Sequence, residues 1–108
     1  YVLYHHLQIM DGKKRLKPLE FDWNKGNLDK NLKKHGVDFR ECEEIFLNKP
    51  LKTFYDIKHS QKEERFTALG ITSKGKKLYV IFTIRDHKIR VISARRQSRK
   101  ERRFYEEK

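Results

Sequence analysis

The sequence predicts an α+β fold: an antiparallel sheet of four to five strands, with two N-terminal helices before it and a basic C-terminal helix after it. Three observations carry that expectation. Helical spacing of apolar residues is confined to residues 24–47, alternating or β-branched segments separated by turn residues fill 53–95, and positive charge concentrates from residue 95 onward. Helices and strands that segregate along a chain in this way lay helices on one side of an antiparallel sheet.

Phe21-Asp22-Trp23 reads as a short strand or strand end. Asn24 to His35 reads as a helix, because Leu28 and Leu32 share a face and His35 continues it one turn on. Gly36 is the expected residue after its end, and His35 is placed to cap its carbonyls. Asp38 then suits an N-cap with Glu41 three residues in, a capping-box pattern. Phe39, Cys42, Ile45 and Phe46 repeat at helical spacing until Asn48-Lys49-Pro50 breaks the pattern. Trp23 is expected in the core.

The middle of the chain is a meander. Thr53–Ile57 is a short strand and His59–Lys62 a polar turn. Glu64–Thr72 is a second strand, with Phe66, Ala68 and Gly70 alternating against Arg65, Thr67, Leu69 and Ile71. Ser73-Lys74-Gly75-Lys76 is a hairpin turn. Leu78–Arg85 is nearly all β-branched or aromatic and is expected at the sheet centre. After a turn at Asp86-His87, Lys88–Arg95 pairs back, with Ile89 and Val91 on one face and Arg90 and Ile92 on the other. Ser98 opens the terminal helix with Glu101 completing a capping box and Phe104 as its apolar anchor.

Composition limits the function classes. A chain of 108 residues has room for one core. Residues 1–19 are expected to be an N-terminal extension and 20–108 the domain; Met10 is a candidate natural start. Charged residues make up 39% of the chain, against about 25% in an average domain. Aromatics at 12% nevertheless argue for a folded chain. A single cysteine excludes an internal disulfide framework and a Cys-rich zinc site, and fits a reducing compartment. No apolar run approaches the roughly 18 residues of a membrane span. The apolar first nine residues lack a preceding basic region and a following small-residue cleavage site, so no secretory signal is expected. His5-His6 has no accompanying ligands, and no metal site is expected there.

The net charge is +12, unevenly spread: +4 over residues 1–37, −2 over 38–64 and +10 over 65–108. Six of the nine residues from Arg95 to Arg103 are basic, and five of those six are arginine. Such a run is either a solvated face or a phosphate-binding surface. Arginine favours the second, because its planar fork matches phosphate oxygens where lysine acts as a point charge. Arg96, Arg99, Lys100, Arg102 and Arg103 are the expected RNA contacts.

Five ordered segments carry a family resemblance. They are Phe21-Asp22-Trp23-Asn24; Leu32-Lys33-Lys34-His35-Gly36-Val37-Asp38-Phe39; His59-Ser60 leading to Glu63-Glu64-Arg65-Phe66; Leu69-Gly70; and Ile92-Ser93-Ala94-Arg95 running to Glu101-Arg102-Arg103 and Tyr105. Together, over about residues 20–107, they resemble the BrnT family, the toxin halves of bacterial BrnT–BrnA toxin–antitoxin pairs. The resemblance implies a RelE-like fold and an RNA-cleaving activity that stops translation. It also implies a BrnA-like antitoxin partner, a hetero-oligomer with that antitoxin, and a bacterial cytoplasmic setting.

The residues fit that chemistry without a cofactor. The sequence has no Gly-rich phosphate loop, no HExxH and no closely spaced carboxylate set, so cleavage is expected to be metal-independent, with the RNA 2′-OH as nucleophile. That route needs a proton acceptor, a group to offset charge on the pentavalent phosphate, and a proton donor for the leaving 5′-oxygen. His59, in a polar turn, is the first acid–base candidate and Glu63 and Glu64 are alternatives; a turn histidine and a solvated or salt-bridged glutamate are the plainer readings. Arg65 and Arg95, at strand ends, are candidates for the phosphate. Tyr105 suits either base stacking or proton transfer, or equally the packing of helix on sheet. Glu101 is expected to serve only its cap. The rival to a ribonuclease is a non-catalytic basic nucleic-acid-binding module.

Overall fold

The computed structural model describes residues 19–58 and 60–107. The N-terminal segment before Leu19, including His5-His6 and Met10, lies outside the described residues, as does His59. Two helices, α1 (Lys30–His35) and α2 (Phe39–Leu47), precede four strands, β1 (Lys52–Tyr55), β2 (Phe66–Ile71), β3 (Lys77–Arg85) and β4 (Lys88–Arg96); α3 (Arg99–Glu106) closes the chain. The strands form one antiparallel sheet in sequential order. The expected fifth strand is reduced to one parallel bridge, Phe21 beside Ile89 on the outer edge of β4.

Residues 24–35 are helical only from Lys30. Asn24 accepts the N–H groups of Gly26 and Asn27 on its side chain, and Asn27 accepts the N–H of Asn24. These local bonds offer the backbone a turn in place of a helical ladder. The inward face of α1 also differs from the Leu28–Leu32 expectation: Leu32 is exposed and Asn31 is buried. Gly36 ends α1 in the left-handed conformation, with φ of 71°. Asp38 caps α2 and its N–H donates to Glu41 Oε1 at 2.9 Å. Burial tends to raise the Glu41 carboxyl, but hydrogen bonds from the Asp38 backbone and from Lys76 hold it below the ordinary range.

The core lies between α2 and one face of the sheet. Cys42, Ile45 and Phe46 meet Ala68, Leu78, Val80, Phe82, Ile89 and Val91. Phe46 stands edge-on to Phe82, with ring centroids 5.1 Å apart. Gly70 lets the layers approach this closely, since a Cβ there would sit 2.7 Å from Ile45 Cβ. Trp23 is half-buried beside this core, its indole N–H donating to Glu43 at 2.8 Å. The helices do not share one side. α3 crosses the opposite face, where Phe104 meets Phe54 of β1 at 5.5 Å and Glu101 meets Arg95 of β4.

A β-bulge decides what that second face carries. Ile81 pairs with Ser93 and Phe82 with Val91, so Ile92 is an extra residue in β4. Strict alternation from Val91 would turn Arg95 toward the core. The inserted residue inverts the phase instead: Ala94 is fully buried with Val91, and Arg95 faces out beside its β3 partner Tyr79. The free edge of β4 around the bulge is closed by residues 27–31. Asn27 Nδ2 donates to Val91 O at 3.2 Å, Lys30 Nζ donates to Ile92 O, and Ala94 N–H donates to Asn31 Oδ1 at 3.1 Å.

Candidate functional site

The face opposite the core combines aromatic, hydroxyl and guanidinium groups. Its centre is the Arg95 side chain, which three partners hold. NH1 and NH2 bond both oxygens of Glu101 at 2.8 and 3.0 Å, and NH1 also reaches Arg96 O at 3.1 Å. The guanidinium lies over the Tyr79 ring, 4.0 Å from its centroid. Glu101 also accepts the Ser98 N–H at 2.8 Å as the capping-box acid of α3. One carboxylate therefore fixes both the start of α3 and the direction of Arg95. The Arg95 hydrogen bonds hold Glu101 below the ordinary carboxylate range, and the same pairing raises Arg95 further.

One cleft adjoins this group through Tyr79 and a second lies beyond it. The first, of about 420 Å³, is lined by Ile57, Tyr79 and Ile81 with Asp56, Lys58 and Thr67, and by Tyr55 at the end of β1, whose ring packs against Phe66 of the core-side face. The other, of about 350 Å³, is lined by Lys58, Gln61, Lys62, Glu63 and Arg65. They share Lys58. Arg65 is anchored through its backbone: its N–H donates to Ser60 Oγ at 2.9 Å, and its carbonyl accepts the Asp56 N–H at 2.8 Å. Glu63 pairs with Arg85 at 3.1 Å, the salt-bridge arrangement that is the plainer reading of this residue.

The structure brings some of the expected residues together and separates others. Arg65 and Glu63 share a cleft, and Arg95 borders its neighbour through Tyr79. Tyr105 is buried, its hydroxyl donating to Pro50 O at 2.5 Å and burial pushing the phenol up to about 12. That position is the helix-to-sheet packing alternative. Arg102 donates to Gln97 O at 3.0 Å, across the start of its own helix. Arg99, Lys100 and Arg103 are exposed on α3. Arg96 diverges from Arg95: it is exposed, and its charge helps lower Glu41 on the core side of the molecule.

A family model described as the ribonuclease toxin, BrnT, of type II toxin–antitoxin systems matches residues 23–101. The chain belongs to the BrnT family. Membership makes this BrnT chain a ribonuclease toxin of a type II system, a class that has an RNA target and an antitoxin partner. No curated protein matched the chain as a relative. No helix among the described residues is long and apolar enough to cross a membrane.

Two residues that matter to this face of the BrnT chain, Tyr79 and Asn31, are not picked out by sequence reasoning. Tyr79 lies within a strand expected to be central, where an aromatic reads as packing. Asn31 lies in a helix whose buried face the leucines claim. Asn27 and Asn31 are spaced i,i+4, a signal that two amides share one side of a helical turn.

Proposed function

We propose that this BrnT chain is an endoribonuclease that cleaves mRNA on the face carrying Arg95 and Arg65, through attack by the RNA's own 2′-OH. Inhibition of translation follows from loss of the message. The observation that carries the proposal is the fixed Arg95 guanidinium. Of its five N–H donors, three are committed to Glu101 and Arg96, which leaves two for a phosphate oxygen. A donor held before the reaction stabilises charge as it develops, without reorganising first. Arg65, at the neighbouring cleft, is the second phosphate ligand. His59 and Glu63, which lie in sequence between β1 and β2, are the groups for proton transfer. Because guanidinium groups meet the charge on the phosphate, the reaction needs no metal.

Arg99, Lys100, Arg102 and Arg103 extend the positive field along α3 and draw in the RNA backbone. Arg96 belongs to the same field at longer range. The antitoxin, a BrnA-like protein bound in a hetero-oligomer, covers the Arg95 face in the bacterial cytoplasm, because an inhibitor must occlude the phosphate site. Incubation of the purified protein with RNA in EDTA tests the reading. Fragments ending in 2′,3′-cyclic phosphate are the expected result. Intact RNA, with and without ribosomes, would leave a binding module as the better description.

A further inference from the structure

We infer that the cleft between Ile57, Tyr79 and Ile81 is a stacking subsite for one unpaired nucleobase, with the phosphate of the same nucleotide directed to Arg95. The inference rests on the proposed RNA reading of this face and specifies which part of the RNA the cleft takes.

Exposure gives the first reason. In a chain that is 39% charged, Ile57 is 81% exposed and lines one cleft with the half-buried Tyr79 and Ile81. Neighbouring exposed apolar side chains rimmed by polar groups mark binding surfaces. Shape gives the second. A cleft of about 420 Å³ lined by Tyr79 and two isoleucines together with Asp56, Lys58 and Thr67 suits a planar ligand with an apolar face and a polar edge. Thr67 offers a hydroxyl that can donate to or accept from a base edge.

The third reason is the position of the charges. Tyr79 belongs to both sites: it lines the cleft, and Arg95 lies over its ring. A base in the cleft therefore stands one side chain away from a guanidinium. At the other end, Lys58 joins the cleft to Arg65 and Lys62. A slot with an aromatic wall and cations at both ends matches a nucleotide within a strand, which carries a flat base between two phosphates. Stacking on aromatic side chains tolerates any base, because each has a π face. Tyr105, the sequence's candidate for stacking, is buried and holds Pro50 O, so the role falls to Tyr79.

The test compares two uncleavable 2′-O-methyl decamers of equal charge, one with its bases and one fully abasic. Ile57→Ala and Ile57→Ser change an exposed position and are checked for folding by circular dichroism. Each should weaken binding of the base-bearing decamer about tenfold. Neither should change binding of the abasic decamer, whose affinity rests on phosphates alone. Equal losses on both decamers, or no loss on either, would overturn the subsite; the second result would leave the apolar wall to a protein partner. Cleavage of ordinary RNA by the wild type is assayed in parallel. Cleavage with no distinction between decamers overturns the subsite alone, whereas a wild type that neither binds nor cleaves RNA overturns the underlying reading as well.

Discussion

The two faces of the sheet are built from the same strands and differ in what completes them. On one face Ala68, Leu78, Val80 and Phe82 are sealed by Ile45 and Phe46 of α2. On the other, Thr67, Tyr79, Ile81, Ser93 and Arg95 remain half-buried, and α3 covers only the end near Phe54 and Leu69. The sealed face is stabilised by removing apolar area from water. The open face is stabilised by a few directed contacts around one guanidinium. The first kind of surface tolerates little change in volume, whereas the second tolerates volume changes but depends on each hydrogen bond. This difference separates substitutions that unfold the chain from those that should silence it.

Phe46→Ala should have the largest effect, since it empties a site touching Phe21 and Phe82 and should cost about 3–5 kcal/mol. Urea unfolding would register that loss, and activity should fall only as the folded fraction falls. Asn31→Ala tests the link between the faces. It leaves the buried Ala94 N–H without its acceptor and should cost about 1–3 kcal/mol. Because the same bond supports the bulge, cleavage should drop by more than the stability loss explains. A variant that is destabilised but fully active per folded molecule would show that the bulge stands without Asn31.

Much of the sealed face is legible in the sequence. Phe39, Cys42, Ile45 and Phe46 carry helical spacing, and Phe66, Ala68 and Gly70 alternate as a strand should, because burial imposes a period on residue type. The open face has no such period. Arg95 stands out by its place at a strand end, but its orientation depends on Ile92 as an extra residue. An inserted β-branched residue leaves no mark in a sequence that reads as an unbroken strand. Asn24 and Asn27 shorten α1 for a related reason: side-chain bonds to nearby backbone compete with a helix without disturbing its apolar spacing. The two-sided placement of helices is likewise hidden: Phe104 is the expected anchor of α3, but it is exposed, and Tyr105 is the side chain that the helix buries.

Two smaller effects refine the contrast. Replacing exposed Arg99 and Lys100 with alanine should leave turnover at saturation nearly unchanged. It should make RNA affinity less salt-sensitive, by about 0.7 in log–log slope for each phosphate that is no longer neutralised. Fluorescence titrations across a salt series would measure that. Glu101→Gln should cost less, about 0.5–1 kcal/mol, because the pair is partly exposed and a glutamine can still accept the Ser98 N–H. Glu101 is depressed in the folded state, so its charge contributes stability above the ordinary glutamate range near about 4.3. That contribution is lost as pH falls through the depressed value. The stability gap between wild type and Glu101→Gln should therefore close in acid, and a gap independent of pH would assign the effect to the cap rather than to the ion pair.

Arg95 and Arg96 are adjacent in sequence and point to opposite sides of the sheet, which makes them a direct test of whether the open face does the chemistry. RNA cleavage at saturating substrate should be compared for Arg95→Ala and Arg96→Ala, with folding verified for both. Arg95→Ala should lower turnover by roughly 10²–10³, the usual loss for a donor aimed at developing charge. Arg96→Ala should retain nearly full turnover and lose only some affinity. Equal losses in the two variants, or a larger loss in Arg96→Ala, would contradict the placement of catalysis on the face that the bulge creates.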